Sequence, residues 1–328
     1  MRCRLPQFKE ADVIHLHWIN QGMLSLTDLK KILHSGKSIF WTMHDMWPVT
    51  GICHHADNCT KYKSECSDCA YLASPGSHDL ANKVFLRKKA VYSDKRLVFV
   101  GCSQWLTDLA RKSALTMGHE VVSIPNPIDT SLFCPSDRLS ARSSLSLPLD
   151  KKLILFAAQK ITNPMKGMDY LIKACRMLKK ERTGLTNIGL VVTGTNTDKL
   201  TLDLPFDIYR MGYVSSESEM RDIYNAVDVF VTPSLLENLP NTIMESLACG
   251  LPCVGFSTGG IPEMIDHKQN GYIARYKSAE DLAEGIRWIL EDADAESLAS
   301  NARKKALTEY SMTVVAQRFL KLYDRYRY

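Results

Sequence analysis

Nowhere in the 328 residues do 18 apolar residues run together, so no segment is built to cross a bilayer as a helix. The opening MRCRLPQFKEAD also lacks the apolar stretch of a signal peptide, and the expected location is the cytoplasm, extending to the inner face of the cytoplasmic membrane. Neither sign of charge is in large excess: 41 Lys+Arg stand against 36 Asp+Glu, and most of the net +5 lies before residue 151, where 18 basic residues face 14 acidic ones. That surplus is too small to mark a nucleic-acid binder, although it suits an anionic membrane face or a phosphate-bearing substrate. There is no internal repeat, no low-complexity tract, and no acidic cluster that stands out as a magnesium site.

What is present is enough apolar residue, 45% of the chain, for two cores of ordinary size. From Lys152 onward short β-rich runs (LILFAA, IGLVVTG, DVFVTP, LPCVGFS) alternate with helical patterns such as KGMDYLIKACRMLKK and SAEDLAEGIRWILED. That alternation predicts βαβ units on a parallel, doubly wound sheet. The first half repeats the style with ADVIHLHWI (11–19), SLTDLKKILHSG, SIFWTMHD (38–45), a helix near 82–92, RLVFVG and VVSIP. A Ser- and Pro-rich stretch, PSDRLSARSSLSLPLD, places a domain boundary near 145. The expected division is 1–145, 146–310, and a final amphipathic helix over 311–328.

The chemistry concentrates in TPSLLENLPNTIMESLACGLPCVG. A strand runs into a loop, and a helix begins near Asn241 or Thr242 just after Pro240, a position where the missing N–H costs little. Free N–H groups and the positive dipole end make such a junction, here 238–242, a cradle for a diphosphate. Glu237 before the helix and Glu245 within it can flank one ligand and accept hydrogen bonds from sugar or ribose hydroxyls. Two arbitrary glutamates eight apart are more often a solvated loop residue and a dipole complement.

The whole passage resembles the donor-site segment of family 4 retaining glycosyltransferases, marked by Glu, seven residues, Glu, and then Gly-Leu-Pro. The resemblance covers nearly the whole chain. LFAAQKITNPMKGMDYL is similar to the family's phosphate-binding loop, with Lys166 at the diphosphate lysine; MGYVSSESEM to the base-contacting turn at Tyr213 and Val214; STGGIPEMI to the Gly-Gly-x-Pro-Glu loop; SIFWTMHD to the strand ending in the active-site His, here His44; and IPNPID to the interdomain Asn motif, here Asn126. Departures are Gln159-Lys160 where relatives carry Gly-Arg, which makes Lys160 a candidate substitute; Asn238 and Leu239 after the first Glu; and Pro127 after Asn126.

The resemblance implies an α/β chain of GT-B architecture, two Rossmann-like domains across a cleft, the acceptor-side one lacking its start because the first strand looks like one that normally follows several βαβ units. It implies transfer from a nucleotide-diphosphate sugar to a glycan or lipid-linked acceptor during surface polysaccharide assembly, with no metal or other cofactor in catalysis. Glu237 would act on the donor sugar, Glu245 on the ribose hydroxyls, and Lys166 with the helix start at Asn241 and Thr242 on the leaving diphosphate. His44 ends a strand where ligands of open α/β sheets sit, although a lone His there is more often structural. The alternative is a catalytically silent nucleotide-sugar-binding module; an epimerase on the same fold is disfavoured by the glutamate pair.

Two further features stand outside that scheme. The helix NKVFLRKKAVY carries Lys83, Arg87, Lys88 and Lys89, which either contact an anionic lipid surface or form a solvated face. Within GICHHADNCTKYKSECSDCA four cysteines, Cys53, Cys59, Cys66 and Cys69, end in Cys-x2-Cys. Their spacing suggests one structural zinc ion, with His54 and His55 as spare ligands. Two disulfides or four unlinked thiols are the other readings. Cys175, Cys249 and Cys253 lie in apolar periodic segments and are expected in cores.

Overall fold

A computed structural model of the chain describes residues 5–326 apart from 94–95, 181–186, 199–203 and 205. The chain divides into two compact units, Met1–Pro125 with Gln317–Tyr328, and Asn126–Ala316. In the first, β1 (Val13–Leu16), β2 (Ser38–Met43), β3 (Leu97–Gly101) and β4 (Val121–Ser123) form one sheet in that order, every pair parallel. Around it lie α1 (Pro6–Glu10), α2 (Leu26–Leu33), α3 (Leu80–Val91) and α4 (Gln104–Arg111). All six residues of β2 are buried, as a parallel strand covered on both faces requires. The expected strand 11–19 is shorter than its apolar run, because His17 and Trp18 leave the ladder and are exposed. Side-chain caps start the helices: Ser25 and Asp28 form a reciprocal box at α2, and Asp79 and Ser103 cap α3 and α4.

The second unit holds β5 (Lys152–Lys160), β6 (Ile188–Thr195), β7 (Asp207–Gly212), β8 (Val229–Thr232), β9 (Cys253–Phe256) and β10 (Gly271–Ala274). Their spatial order is β10-β9-β8-β5-β6-β7, again wholly parallel. The chain starts in the middle, winds one way to β7, and crosses back to β8, so β5 and β8 flank the point where the direction of winding reverses. In open sheets of this kind ligands collect beyond the carboxyl ends of those two strands. The helices are α5 (Arg138–Ser144), α6 (Met168–Lys180), α7 (Glu217–Ala226), α8 (Asn241–Ala248), α9 (Ile261–Met264), α10 (Ala279–Arg287) and α11 (Ala295–Lys305), while α12 (Met312–Asp324) carries the chain back to the first unit. Cys175, Cys249 and Cys253 are buried in this unit as expected.

The division between units falls at Pro125/Asn126, ahead of the Ser- and Pro-rich stretch. That stretch is not a free linker. Arg142, buried on α5, donates to the carbonyls of Ala226 (2.7 Å) and Lys151 (2.9 Å) and pairs with Asp228 at 2.8 Å. Composition reports flexibility in isolation, but one buried guanidinium with several acceptors binds 138–151 to the second unit.

Candidate active site

The loop after β5 and the loop after β8 meet at the reversal point. Gly167, at φ +74°, lies so close to Pro233 that a Cβ would stand 1.9 Å from its carbonyl oxygen, and Gly259, at φ +57°, comes equally near the Glu237 carbonyl. No larger residue fits either position. The Leu235 N–H donates to the Met165 carbonyl at 2.8 Å, and the Tyr276 hydroxyl donates to the Leu235 carbonyl at 3.1 Å. The loop 233–240 is thereby held from three sides.

Within this frame the Lys166 ammonium pairs with Oε1 of Glu237, and the Ser234 hydroxyl donates to the same oxygen at 3.1 Å. Glu245, on α8, accepts from the Tyr224 hydroxyl at 2.8 Å. Burial raises the Glu245 carboxyl above its ordinary range; the Tyr224 hydrogen bond opposes that shift and nearby Glu217 adds to it. Pro240 gives α8 no side-chain cap, and in its first turn the Ile243 N–H donates to the Pro240 carbonyl at 3.1 Å. Asn241 is exposed and Thr242 half-buried there, whereas Asn238 and Leu239 are buried, in keeping with support of the loop.

Other expected residues stand apart from this group. Lys160 is exposed at the end of β5, and Tyr213 and Val214 follow β7, two strands from the reversal point, with Tyr213 well exposed. Asn126 is the half-buried first residue of the second unit. Sequence reasoning missed Tyr224 and Ser234, which orient the two carboxylates. It also passed over an Asp-x-Asp string, Asp292 and Asp294. Its role is structural: Asp292 pairs with Arg287 at 2.8 Å, and Asp294 caps α11.

In the first unit His44 is half-buried just beyond β2, and its Nε2 lies 3.2 Å from Nδ1 of His17, which follows β1. His15 bonds Thr42 Oγ1 at 2.8 Å through Nε2 and the Tyr323 hydroxyl at 2.6 Å through Nδ1. Burial, with the neighbouring imidazoles adding to it, depresses His15 to about 4. His44 is also held below the usual imidazole range, chiefly by burial, and His17, although its side chain is exposed, is lowered by partial desolvation. All three rings are therefore neutral at pH 7 and offer one donor and one acceptor each.

The basic helix is α3, and Lys88 is not on its surface. The Lys88 ammonium is buried, donates to the carbonyls of Trp47, Thr50 (3.0 Å) and Gly51 (3.1 Å), and sits 3.5 Å from the Trp47 ring centroid. Lys83, Arg87 and Lys89 are exposed. The cysteine loop lies over the same lysine. Burial, with Cys69, Cys66 and Cys59 adding to it, pushes the Cys53 thiol up to about 11, and all four cysteines are free. Among the described residues no group of three or more His, Cys, Asp or Glu is arranged to hold a metal ion. A structural zinc on Cys53, Cys59, Cys66 and Cys69 stands as a proposal: Cys66 and Cys69 are buried, and Cys69, Cys66 and Cys59 all lie near enough to Cys53 to raise its thiol.

A family model described as "Glycosyl transferases group 1" matches residues 137–305, just over half of the chain. The chain belongs to this family. It is 32% identical over 183 residues to N,N'-diacetylbacillosaminyl-diphospho-undecaprenol alpha-1,3-N-acetylgalactosaminyltransferase of Campylobacter jejuni, covering 55% of this chain and 46% of that protein. Against the D-inositol 3-phosphate glycosyltransferase of Saccharomonospora viridis it is 24% identical over 336 residues, covering 98% and 72%. The chain spans about half the length of the first of these relatives. Among solved structures it is similar to sucrose-phosphate synthase from Thermosynechococcus elongatus (TM-score 0.69, 19% identity, 96% of this chain and 73% of that one). It is also similar to Anabaena HepE in complex with UDP (TM-score 0.67, 17% identity, 96% and 79%). These likenesses establish the fold, an α/β chain with two parallel sheets that matches GT-B glycosyltransferases.

Proposed function

We propose that this chain transfers a sugar, with retention of anomeric configuration, from a nucleotide-diphosphate sugar to a glycan or lipid-linked acceptor in surface polysaccharide assembly. The observation that carries the reading is the constellation at the reversal point of the second sheet: Lys166 paired with Glu237, Tyr224 bonded to Glu245, and the α8 start without a side-chain cap. A diphosphate arriving there would meet one ammonium and the uncapped start of α8 at Asn241 and Thr242, which would stabilise the charge that grows on it as the anomeric C–O bond breaks. Glu237, released from Lys166 as the diphosphate takes over that cation, accepts from hydroxyls of the donor sugar. Glu245, already oriented by Tyr224, accepts from the ribose.

The acceptor hydroxyl attacks the anomeric carbon on the face the diphosphate leaves, and its proton passes to the departing phosphate oxygen. Neither step calls for a metal or an enzymic nucleophile in this scheme. His44 is the first-unit residue assigned to the reacting sugar, on the resemblance of SIFWTMHD and on its place at the carboxyl end of a parallel strand. The Campylobacter relative is named for transfer to a diphospho-undecaprenol-linked sugar, which supports a lipid-linked acceptor. Among the described residues no helix is long and apolar enough to cross a membrane, and the contact proposed with such an acceptor is at the membrane surface.

A thermal-shift screen against UDP-, GDP- and ADP-sugars tests the reading, because a ligand of the native state raises the unfolding midpoint by mass action. A rise of several degrees with one base class, absent in Lys166→Ala, is expected. No shift with any of them at millimolar concentration contradicts it.

A further inference from the structure

The donor-side reading leaves unexplained why three imidazoles gather at one end of the first sheet. The β1–β2 register, His15 opposite Phe40 and Leu16 opposite Trp41, puts His15, His17, Thr42 and His44 on one face of the sheet. His15 is anchored on both nitrogens, to Thr42 and to Tyr323 on α12. Its ring lies against that of His17, with centroids 4.4 Å apart. His17 in turn stacks on His44, with centroids 5.4 Å apart and planes 28° apart, and Nδ1 of His17 faces Nε2 of His44 at 3.2 Å. The nearest carboxylate, Asp45, is engaged elsewhere: its oxygens accept from the Trp47 N–H at 2.8 Å, the Trp18 indole at 3.3 Å, and His54 at 2.6 Å.

Two facing imidazole nitrogens cannot both carry protons, nor both be bare, and still bond. The contact holds one proton. We infer that His17 is a positioning residue for His44: the shared proton ties the two tautomers together, so that whether His44 offers a donor or an acceptor toward a bound sugar follows the tautomer of His17. The side-chain chain Tyr323–His15–His17–His44 then runs from the last helix to the carboxyl end of β2, with two hydrogen bonds and a tilted ring contact as its links. The catalytic part of this inference rests on the assignment of His44 above; the coupling of the two rings does not.

The experiment is long-range ¹⁵N–¹H spectroscopy of histidine-labelled full chain, titrated from pH 5 to 8, for the wild type, His17→Phe and His17→Gln, alongside steady-state transfer kinetics. His17 is exposed, so both variants should fold. In the wild type His44 should show one tautomer; in His17→Phe it should show a mixture, with its titration midpoint moved up toward the ordinary imidazole value as the like charge is removed. The groups facing the pair, His15, Asp45, His54, Thr42 and Tyr323, are unchanged in every variant. His17→Gln, whose amide can meet Nε2 as donor or acceptor, should restore a hydrogen bond at that nitrogen, read as a shift of the Nε2 resonance away from its value in His17→Phe. Transfer by His17→Phe should fall about tenfold or more in kcat with little change in KM, and recover in part in His17→Gln. An unchanged His44 tautomer and midpoint in His17→Phe would overturn the inference. The expected spectra without any transfer by the wild type would leave the positioning intact and defeat the proposed function instead.

Discussion

The two units present opposite chemistry at the carboxyl ends of their sheets. In the second, carboxylates are met by partners before any ligand arrives, Glu237 by Lys166 and Glu245 by Tyr224. In the first, imidazoles meet one another and are pressed toward neutrality. On the proposed function the second unit would exchange an internal ion pair for an anionic ligand, and the first would hold neutral donors and acceptors in orientation. An anion entering the second unit would have to draw Lys166 away from Glu237, a local exchange within a loop frame already held by Gly167 and Leu235.

Breaking the carboxylate side should have the largest effect. Glu237→Gln should lower transfer by roughly 2.7–4 kcal/mol of barrier, a hundredfold to a thousandfold in rate, with the unfolding midpoint nearly unchanged. Turnover within a few-fold of wild type would remove Glu237 from the mechanism.

Acid should separate the units next. His15 has a folded value of about 4 against 6.5 unfolded, so the unfolded state binds its proton first. Its contribution to stability is full above pH 6.5 and is lost as pH falls toward 4, worth up to about 3 kcal/mol in the first unit. Glu245 runs the other way. Its folded value is raised, so its contribution is present below the unfolded carboxyl value and is lost as pH rises through the folded one. Denaturation followed between pH 4 and 7 should show His15→Phe flattening the acid loss of the first unit. Equal slopes in wild type and variant would contradict the burial argument.

Removing the buried ammonium tests whether the cysteine loop is packing. Lys88→Ala leaves the Trp47, Thr50 and Gly51 carbonyls without their shared donor and should cost roughly 2 kcal/mol. Hydrogen exchange should report the loosening at 47–69 while the second unit is unaffected. The smallest expected effect is that of Glu245→Gln on stability at pH 7: no loss, or a slight gain, because the folded state resists the charge, together with weaker nucleotide-sugar binding in calorimetry.

How much of this was legible follows from how local each feature is. The strand, loop and helix of 229–248 carry their own signals within twenty residues, so Glu237, Glu245 and the helix start could be read directly. Lys166 needed the resemblance, since nothing in NPMKG alone places it beside Glu237; the Gly167–Pro233 contact does that. His17 was passed over although His-x-His on a strand puts both rings on one face, because its partner His44 is fixed by strand register. Lys88 was misread as surface charge, yet the stripe Ala81, Phe85, Lys88 and Tyr92 has the 4-3-4 spacing of a buried helix face. Tyr224 could not be found at all from sequence, because its bond to Glu245 depends on how α7 packs against α8.

The central claim is that a nucleotide-diphosphate sugar binds at the reversal point of the second sheet. Hydrogen exchange of the full chain with and without the nucleotide sugar that gives the largest thermal shift tests it directly. Protection should be confined to 161–167 and 233–245 in the second unit and be lost in Lys166→Ala. Protection that leaves both loops untouched while another segment slows would contradict it.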